Sequence, residues 1–349
     1  MPDLRGWNPV SGLVEGMSDP RGWNPFRGWW RYKGVRTVAS WIVWGLAGLS
    51  AGWAALRLSG FEPEWPWVPV VSATPYAAAL AGAGLLLAAA LRKRAAAALA
   101  LAATVALGFA VVPRAVADGG PEADGTPLRV LAANLMVGIA DTDDLMDLVS
   151  RVRPDVLALQ ELTPGAMRRR EKAGLRERLP HAVTRPKRGV GGSALYARFP
   201  LEPGEAIHLG GFGQVRAVLE HPDGARVELV SVHPCAPKRY ERQPCWRAGL
   251  EALPRAGEPL RILAGDFNAT LDHLLMRELL ASGYRDAADV TGDGLRTTWP
   301  QGGFGPLPGV AIDHVLADSR IGIRSFGVHT LKGTDHHPVS AVLTLPAVE

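Results

Sequence analysis

Cysteine and net charge are both scarce in this sequence. Only 2 of its 349 residues are cysteine, and no cluster of cysteine and histidine has the spacing of a zinc site. Residues 128–349 contain 27 Lys and Arg against 26 Asp and Glu, whereas residues 1–127 contain 11 against 8. The pI near 9.3 therefore comes mostly from the first third of the chain and is no evidence for a nucleic-acid partner.

Charged residues are also rare in the first 115 residues, where the apolar residues are concentrated. The first long apolar run begins nearly forty residues into the chain and two more follow, so a cleaved signal peptide is not expected. The runs are Val38–Leu58, Val68–Leu91 and Ala95–Val112, and about 20 apolar residues are enough to cross a bilayer. We therefore expect an α-helical transmembrane region over residues 38–113, with helices at about 38–58, 68–91 and 95–113. The third run is the shortest and could instead be a buried helix of a soluble domain.

Basic residues flank these runs unevenly. Several precede the first run, and Arg92-Lys93-Arg94 separates the second from the third, whereas the loop between the first two contains Glu62 and Glu64. By the positive-inside rule the N-terminal tail, residues 1–37, is cytoplasmic, and three crossings place the chain after residue 113 outside the cytoplasm. We expect a multi-pass protein of the cell membrane with the lipid bilayer as partner; no protein partner is inferred.

The segments that flank the apolar region have no apolar period. Residues 114–127 are rich in Asp, Glu, Gly and Pro, and are predicted to be a linker before a second domain over residues 128–349. The tail repeats the sequence Arg-Gly-Trp-Asn-Pro at residues 5–9 and 21–25. This repeat suits a membrane interface, and a disordered tail is the alternative.

Two strand-like runs of this second domain end in polar residues. Leu128–Asn134 ends in an amide, and Asp155–Glu161 ends in a glutamine followed by a carboxylate. Strand ends are where α/β folds place their chemistry. A single glutamate after a strand is more often a solvated loop residue, so the carboxylate needs support from other motifs.

A stronger signal is the apolar run Ile262–Ala269, which contains Asp266 and Asn268. Side chains at i and i+2 can lie on one face, where they could address the same phosphate or bound water. Gly265 would let the backbone approach closely. An Asx turn that caps the next helix is the alternative interpretation.

Another acid, Asp313, lies in the apolar run Ile312–Leu316. An unpaired carboxylate in a buried strand is costly, so a partner is expected. The segment Thr334–Val339 supplies candidate partners just before the final strand. His314 and His337 are predicted to lie outside the site.

In order and approximate spacing, these motifs resemble the endonuclease/exonuclease/phosphatase family. The resemblance covers about residues 128–346 and includes Gly192–Leu201, which is similar to the family's Gly-x-Ala-x-x-Ser-Arg-x-Pro element. Val232-His233-Pro234 is similar to the family's Thr-His-Leu element, with Ser231-Val232 as a departure. The resemblance implies an α/β fold, a DNase I-like sandwich of two mixed β-sheets flanked by helices, here preceded by the α-helical transmembrane region.

The resemblance also implies a metal site and roles for its residues. Hard oxygen ligands suit Mg²⁺, with Mn²⁺ or Ca²⁺ as alternatives. Glu161 would be the principal ligand, with Asn134 beside it and Asp335 as an outer or alternative ligand. The remaining candidates would be catalytic: Asp266 on the attacking water, Asn268 on the phosphate, Asp313 fixing the tautomer of His336, His336 on the phosphoryl oxygen, and His233.

The expected function is therefore a membrane-anchored, metal-dependent phosphoesterase. Its substrate is left open between DNA, a phospholipid head group and a small phosphoester. A catalytically silent binding module of the same fold is one alternative, and a transporter or scaffold is disfavoured because the apolar runs contain no internal charge. A basic run from Arg168 to Arg188 is interpreted as a solvated helix face, with contact to anionic lipid or nucleic acid as the alternative.

The two cysteines, Cys235 and Cys245, lie in a Pro-rich segment directly after His233. If the catalytic domain is extracytoplasmic, they lie where disulfides persist, so we predict a bridge between them. Two unrelated, reduced thiols are the alternative.

Overall fold

The computed structural model describes residues 33–120, 125–302 and 308–347. The repeated pentapeptide and most of the predicted cytoplasmic tail lie outside these residues. The first described stretch, residues 33–120, contains the helices α1 (Lys33–Leu58), α2 (Trp67–Val71), α3 (Thr74–Ala90) and α4 (Arg94–Val111). A 3₁₀ turn, Val112–Ala115, follows α4. Two segments of the described chain, Arg36–Leu58 and Arg94–Ala115, are helical, long and apolar enough to cross a membrane, whereas α3 is shorter.

The second predicted crossing, Val68–Leu91, is not one helix but is divided into α2 and α3. The cause is Pro75. In a continuous helix the amide of residue 75 would bond the carbonyl of Val71, and proline has no amide hydrogen. The hydroxyl of Thr74 donates to that carbonyl instead, at 2.6 Å. The expectation of a single helix over this range was therefore wrong.

The catalytic domain is a sandwich of two mixed sheets, as predicted. The first sheet has the order β12-β13-β1-β2-β4-β3, and the second has β10-β11-β9-β8-β7-β5, with β6 paired to β7. Within each sheet one central pair is parallel, β1 with β2 and β8 with β9. The strands are β1 (Pro127–Asn134), β2 (Val156–Gln160), β3 (His181–Arg185), β4 (Ser193–Ala197), β5 (Leu201–Pro203), β6 (Ile207–Leu209), β7 (Phe212–Glu220), β8 (Arg226–Val232), β9 (Leu260–Asp266), β10 (Tyr284–Asp286), β11 (Asp313–Asp318), β12 (Gly322–Val328) and β13 (Val339–Thr344).

Both faces of the central strands are buried, which explains why β1 is an almost continuous apolar run. Val130 and Ala132 face the interior between the sheets, whereas Leu131 and Ala133 face the outer helices. Those helices are α5 (Thr142–Val152), α6 (Pro164–Lys172) and α7 (Leu175–Arg178) on the first sheet, and α8 (Gln243–Glu251) and α9 (Leu274–Ala281) on the second. A further short helix, α10 (Ala287–Val290), instead contributes Ala287 and Val290 to the core between the sheets. The described part of the predicted linker lies against the domain, since the amide of Asp118 bonds the carbonyl of Val290 at 3.1 Å.

Candidate active site

The ends of the central strands meet at one edge of the sandwich. In the register of β1 with β2, Asn134 lies beside Gln160, so that Glu161 follows at the same edge. In the second sheet Asp313 pairs with Asp266, the last residue of β9. Residues far apart in sequence are therefore brought together because strands of both sheets end at this edge.

Gly265 allows the two sheets to approach at this edge. Its φ is +147°, and a Cβ there would clash with the carbonyl of Val232 and with the side chain of Gln160. The amide of Gln160 instead reaches across and donates to the hydroxyl of Ser231 at 2.9 Å. This contact ties β2 of the first sheet to β8 of the second.

Asn134 is buried at the centre of the site. Its Nδ2 lies 3.0 Å from Oδ2 of Asp266 and 3.4 Å from Oε1 of Glu161, so the amide bridges two carboxylates. Its Oδ1 accepts a hydrogen bond from the amide of Met136 at 3.0 Å. The orientation of the side chain is therefore fixed.

Glu161 sits in a left-handed backbone conformation with φ of 55°. Its Oε2 accepts a hydrogen bond from the amide of Val137 at 2.6 Å. Burial raises the pKa of this carboxyl, although the bonds from Val137 and Asn134 oppose the shift. A bound cation would favour the charged form.

Arginines of the basic run support the loop that holds Glu161. Arg169 donates to the carbonyl of Gly138 at 2.8 Å, and Arg170, which is fully buried, donates to the carbonyl of Ala140 at 2.7 Å. The interpretation of the whole run as a solvated face was therefore wrong for Arg170.

Asp313 and His336 form a buried pair. Nδ1 of the imidazole lies 2.9 Å from Oδ2 and 3.1 Å from Oδ1 of Asp313, which directs Nε2 toward Asp266 at 3.6 Å. Burial acts to lower the pKa of His336, but the carboxylates of Asp313 and Asp266 outweigh it and raise the pKa to about 10. Nε2 can therefore carry a proton toward a negatively charged oxygen.

Asp266 carries the next functional carboxylate, and burial raises its pKa. Its Oδ1 accepts a hydrogen bond from the amide of Asn268 at 2.8 Å, which is an Asx turn. Asn268 has φ of 49°, and its Nδ2 contacts the carbonyl of Pro234 at 3.2 Å. The Asx turn is therefore present, but it does not cap the next helix, because α9 begins after His273, which makes no side-chain cap hydrogen bond. The turn presents both side chains at the site.

His233, the residue directly after β8, lies beside the carboxylates of the site. Its Nε2 lies 3.7 Å from Oε1 of Glu161 and 3.6 Å from Oδ2 of Asp266. Burial lowers its pKa to about 4, so the ring is neutral near pH 7. Its Nδ1 is buried without a hydrogen-bond partner among the described residues.

Asp335 lies at the rim and is held by a residue that sequence analysis missed. Nε1 of Trp299 donates to Oδ2 of Asp335 at 2.9 Å, and Nζ of Lys238 lies 5.8 Å from the Trp299 ring. The preceding residue, Thr298, accepts hydrogen bonds at its hydroxyl from the amides of Ile312 and Asp313 at 2.9 and 3.0 Å. The only sequence signal was a tryptophan in a Gly- and Pro-rich stretch without a period.

The donor set fits a hard divalent cation. In the described chain no lysine or arginine forms an ion pair with Glu161, Asp266, Asp313 or Asp335. His336 is therefore the cationic partner of the converging carboxylates, since His233 is neutral near pH 7. Buried carboxylates without a cation are costly. One oxygen or nitrogen from each of Asp266, Asp313 and His336 can come within 4.8 Å of the others, and the amide of Asn134 links this group to Glu161. The predicted ligands Glu161, Asn134 and Asp335 border the same centre and remain a prediction.

The histidines that were predicted to lie outside the site have structural partners. His314 contacts Asp286 through Nδ1 at 2.8 Å and the carbonyl of Ala269 through Nε2 at 3.0 Å. Nδ1 of His337 donates to the carbonyl of His329 at 2.8 Å. Both rings are therefore used to hold the fold.

The structure joins Cys235 and Cys245 in a disulfide, with Cα atoms 5.8 Å apart. The bridge connects the segment after His233 to α8. Gly210 packs against it with φ of +56°, and a Cβ at this position would clash with the sulfur of Cys245. The bridge thus fixes the chain on one side of the site.

We expect mass spectrometry of protein alkylated in intact membranes to recover the two cysteines as one cross-linked peptide pair. A loop of this size stabilises the fold by about 2 to 3 kcal/mol in the chain-entropy model. Quantitative alkylation of both thiols before any reduction would contradict the bridge and would count against an extracytoplasmic domain.

The chain was compared with known protein families and structures. The model described as "Endonuclease/Exonuclease/phosphatase family" matches residues 131–336. The crystal structure of the endonuclease/exonuclease/phosphatase from Beutenbergia cavernae aligns with a TM-score of 0.50 and 18% identity, over 63% of this chain and 72% of that chain. TDP2 of D. rerio, complexed with a single-strand DNA product, aligns with a TM-score of 0.50 and 17% identity, over 63% of this chain and 99% of that chain. Comparison with curated proteins finds no match.

At these identities the structural neighbours establish the fold alone. The family match carries more weight, because it begins in β1, ends at His336 and spans more than half of the chain. The converging strand ends lie within the same range. This chain therefore belongs to the endonuclease/exonuclease/phosphatase family.

Proposed function

We propose that this protein is a membrane-anchored, metal-dependent hydrolase of phosphate esters. The observation that carries the proposal is the convergence of Glu161, Asp266 and Asp313 in one buried site without a lysine or arginine partner in the described chain. Such a site suits a divalent cation and an anionic substrate. The pairing of Asp313 with His336 adds a proton donor directed at the same point.

Each residue of the site then has a role. Glu161, Asn134 and Asp335 would hold Mg²⁺, with Mn²⁺ or Ca²⁺ as alternatives, and the cation would neutralise charge on the phosphate. Asp266 would orient the attacking water. His336 donates from Nε2 toward a phosphoryl oxygen, because Asp313 holds its other nitrogen. Asn268 and His233 complete the polar wall around the phosphate.

The test is hydrolysis by the purified full chain in detergent. The substrates are bis(4-nitrophenyl) phosphate, duplex DNA, sphingomyelin, phosphoinositides and nucleotides. We expect at least one ester to be cleaved with Mg²⁺, activity to be lost in EDTA, and activity to return when Mg²⁺ is restored. Folded protein that cleaves none of these with Mg²⁺, Mn²⁺ or Ca²⁺ would favour the catalytically silent binding module, and cleavage that resists EDTA would exclude the metal.

Membrane anchoring is supported by the surface of the helical region. Large apolar residues face outward, including Leu49, Leu86 and Phe109 at 72%, 73% and 79% exposure. The residues buried between the helices are mostly small, as is typical of packing within a bilayer. They include Ala47, Ala81, Ala88, Ala96, Ala100 and Ala103. A soluble domain would have the opposite arrangement.

The proposed topology places the N-terminus and the Arg92-Lys93-Arg94 turn in the cytoplasm and the catalytic domain outside it. A phosphatase-type reporter fused after residue 349 should therefore be active, and one fused at Lys93 should be inactive. The reverse pattern would show that one of the three apolar segments fails to cross; α3 is then the first candidate because it has only 17 residues.

A further inference from the structure

The helical region and the catalytic domain are joined by a buried ion cluster. Arg57, at the end of α1, donates through Nε to Oδ1 of Asp272 at 2.9 Å. Arg114, just after α4, donates to both oxygens of the same carboxylate at 2.8 and 2.7 Å. The two arginines are only 7% and 6% exposed. One acid of the catalytic domain is thus held by the ends of two membrane helices.

The connection between α1 and α3 reinforces this junction. Nε2 of His273 lies 2.9 Å from the carbonyl of Val68, and the amide of Leu274 donates to Glu62 at 3.0 Å. Val68 is itself fully buried in the core cluster that contains Phe267. The catalytic domain therefore packs directly against the helical region and is not connected to it by the linker alone.

The junction lies close to the active site along the chain. Asp272 is six residues after Asp266, which limits their separation to about 20 Å, and the turns at Asn268 and Thr270 shorten it. On the other side, Arg114 follows the last residue of α4, Val111, by three residues of 3₁₀ turn, a rise of about 6 Å. The catalytic carboxylates are therefore held within a short distance of the head-group layer.

A second path links the helices to the rim of the site. The hydroxyl of Tyr76, in the first turn of α3, donates to the carbonyl of Gly309 at 2.6 Å. Val310, the next residue, pairs with Trp299, and Trp299 bonds the carboxylate of Asp335. The rim is therefore fixed at the same end of the helical region as the ion cluster.

Exposed aliphatic side chains border the site. Val137 and Ile139 are 41% and 62% exposed, in the loop whose amide bonds Glu161. Val190 is 39% exposed, in the segment that pairs with Leu162, the residue after Glu161. Arg188, two residues before Val190 in the chain, is exposed, and so is Lys238, whose Nζ lies 5.8 Å from the Trp299 ring. Apolar and basic groups together suit an amphiphile with an anionic head group.

We propose that the substrate of this site is a phosphate ester carried by a lipid of the same membrane leaflet, an inference that rests on the hydrolase activity proposed above. A site fixed beside the head-group layer meets membrane phosphates at high effective concentration. The aliphatic rim would contact the acyl boundary or the lipid backbone, and the cations would contact neighbouring anionic head groups. A soluble ester gains nothing from either feature.

The test uses the full chain reconstituted in phosphatidylcholine vesicles. Probe lipids are phosphatidic acid and sphingomyelin, placed either in the same vesicles as the protein or in separate ones; bis(4-nitrophenyl) phosphate, glycerol 3-phosphate and duplex DNA are the water-soluble probes. We expect at least one lipid to be cleaved about tenfold faster in the same vesicles than in separate ones, and faster than any soluble probe at equal bulk concentration.

Equal rates for the two vesicle arrangements, or faster cleavage of DNA or a soluble ester, would overturn the lipid inference and leave the hydrolase standing. Absence of cleavage of every probe would overturn both. As a second measurement, Ile139→Asp and Val190→Asp should each lower the ratio of lipid to soluble-ester cleavage several-fold, because a charged carboxylate at the rim is costly to desolvate against the apolar part of a lipid. An unaltered ratio in both variants would contradict the role of the rim.

Discussion

Changing Glu161 to glutamine is expected to lower the rate of phosphoester hydrolysis by at least about a hundredfold while the fold is retained. The amide keeps the size of the side chain and can still accept from the amide of Val137. It removes the negative charge that would hold the cation beside Asn134 and Asp266. The measurement is the initial rate at saturating Mg²⁺ on the best ester of the panel, with circular dichroism as the test of folding.

Glu202→Gln is the matched control for this variant. The same change from carboxylate to amide is made here at the surface. Glu202 forms an ion pair with Arg226, and the two side chains are 61% and 58% exposed respectively. Its rate should stay within about twofold of the wild type, because an exposed pair contributes little. A Glu161→Gln protein as active as this control would show that Glu161 is not at the metal.

Asp272→Asn should destabilise the junction between the helices and the catalytic domain by about 3 to 5 kcal/mol. The change leaves Arg57 and Arg114 buried without a negatively charged partner. The two arginines lower the pKa of Asp272 despite its burial, which agrees with a carboxylate that is charged in the folded protein. The measurement is the unfolding of the full chain in detergent, followed together with proteolysis of the segment after Arg114.

The control for this variant is Asp293→Asn, which breaks the partly exposed pair with Arg296. This control should lower the free energy of unfolding by less than about 1 kcal/mol. If the Asp272→Asn protein has the same free energy of unfolding as the Asp293→Asn protein and is cleaved by protease at the same rate, the ion cluster does not hold the two regions together.

The chemistry of the site was the most predictable part of this protein. Asp266 and Asn268 are two residues apart, so the local chain alone places both at the end of β9 and predicts their shared site. Glu161 was a weaker signal by itself and depended on its order relative to the other motifs. The apolar helices were also predictable from local sequence, because a run of about 20 residues without charge is typical of a helix that is buried or crosses a membrane.

Other features depended on contacts that no local pattern records. Pro75 was visible, yet only the hydroxyl of Thr74 shows how the helix divides there. Trp299 had no motif, because its role comes from Asp335, thirty-six residues later. Asp272 and Arg57 are 215 residues apart, and each alone resembles an ordinary surface charge. His273 has no motif around it, yet its Nε2 lies 2.9 Å from the carbonyl of Val68 in the connection between α1 and α3.

The sequence by itself determined the apolar helices, through long uncharged runs, and the types of residue at the site, through short motifs. The fold class followed from the resemblance of those motifs to a known family. Tertiary structure alone decided that Asn134 bridges Glu161 and Asp266, that Arg170 is buried, and that Asp272 fixes the domain on the helix ends. The physical reason is that burial changes the energy of a charged or polar group. A carboxylate or guanidinium at the surface stays hydrated, whereas its burial carries a large desolvation free energy unless a partner compensates for it. The role of such a group therefore depends on the partners that the fold brings to it.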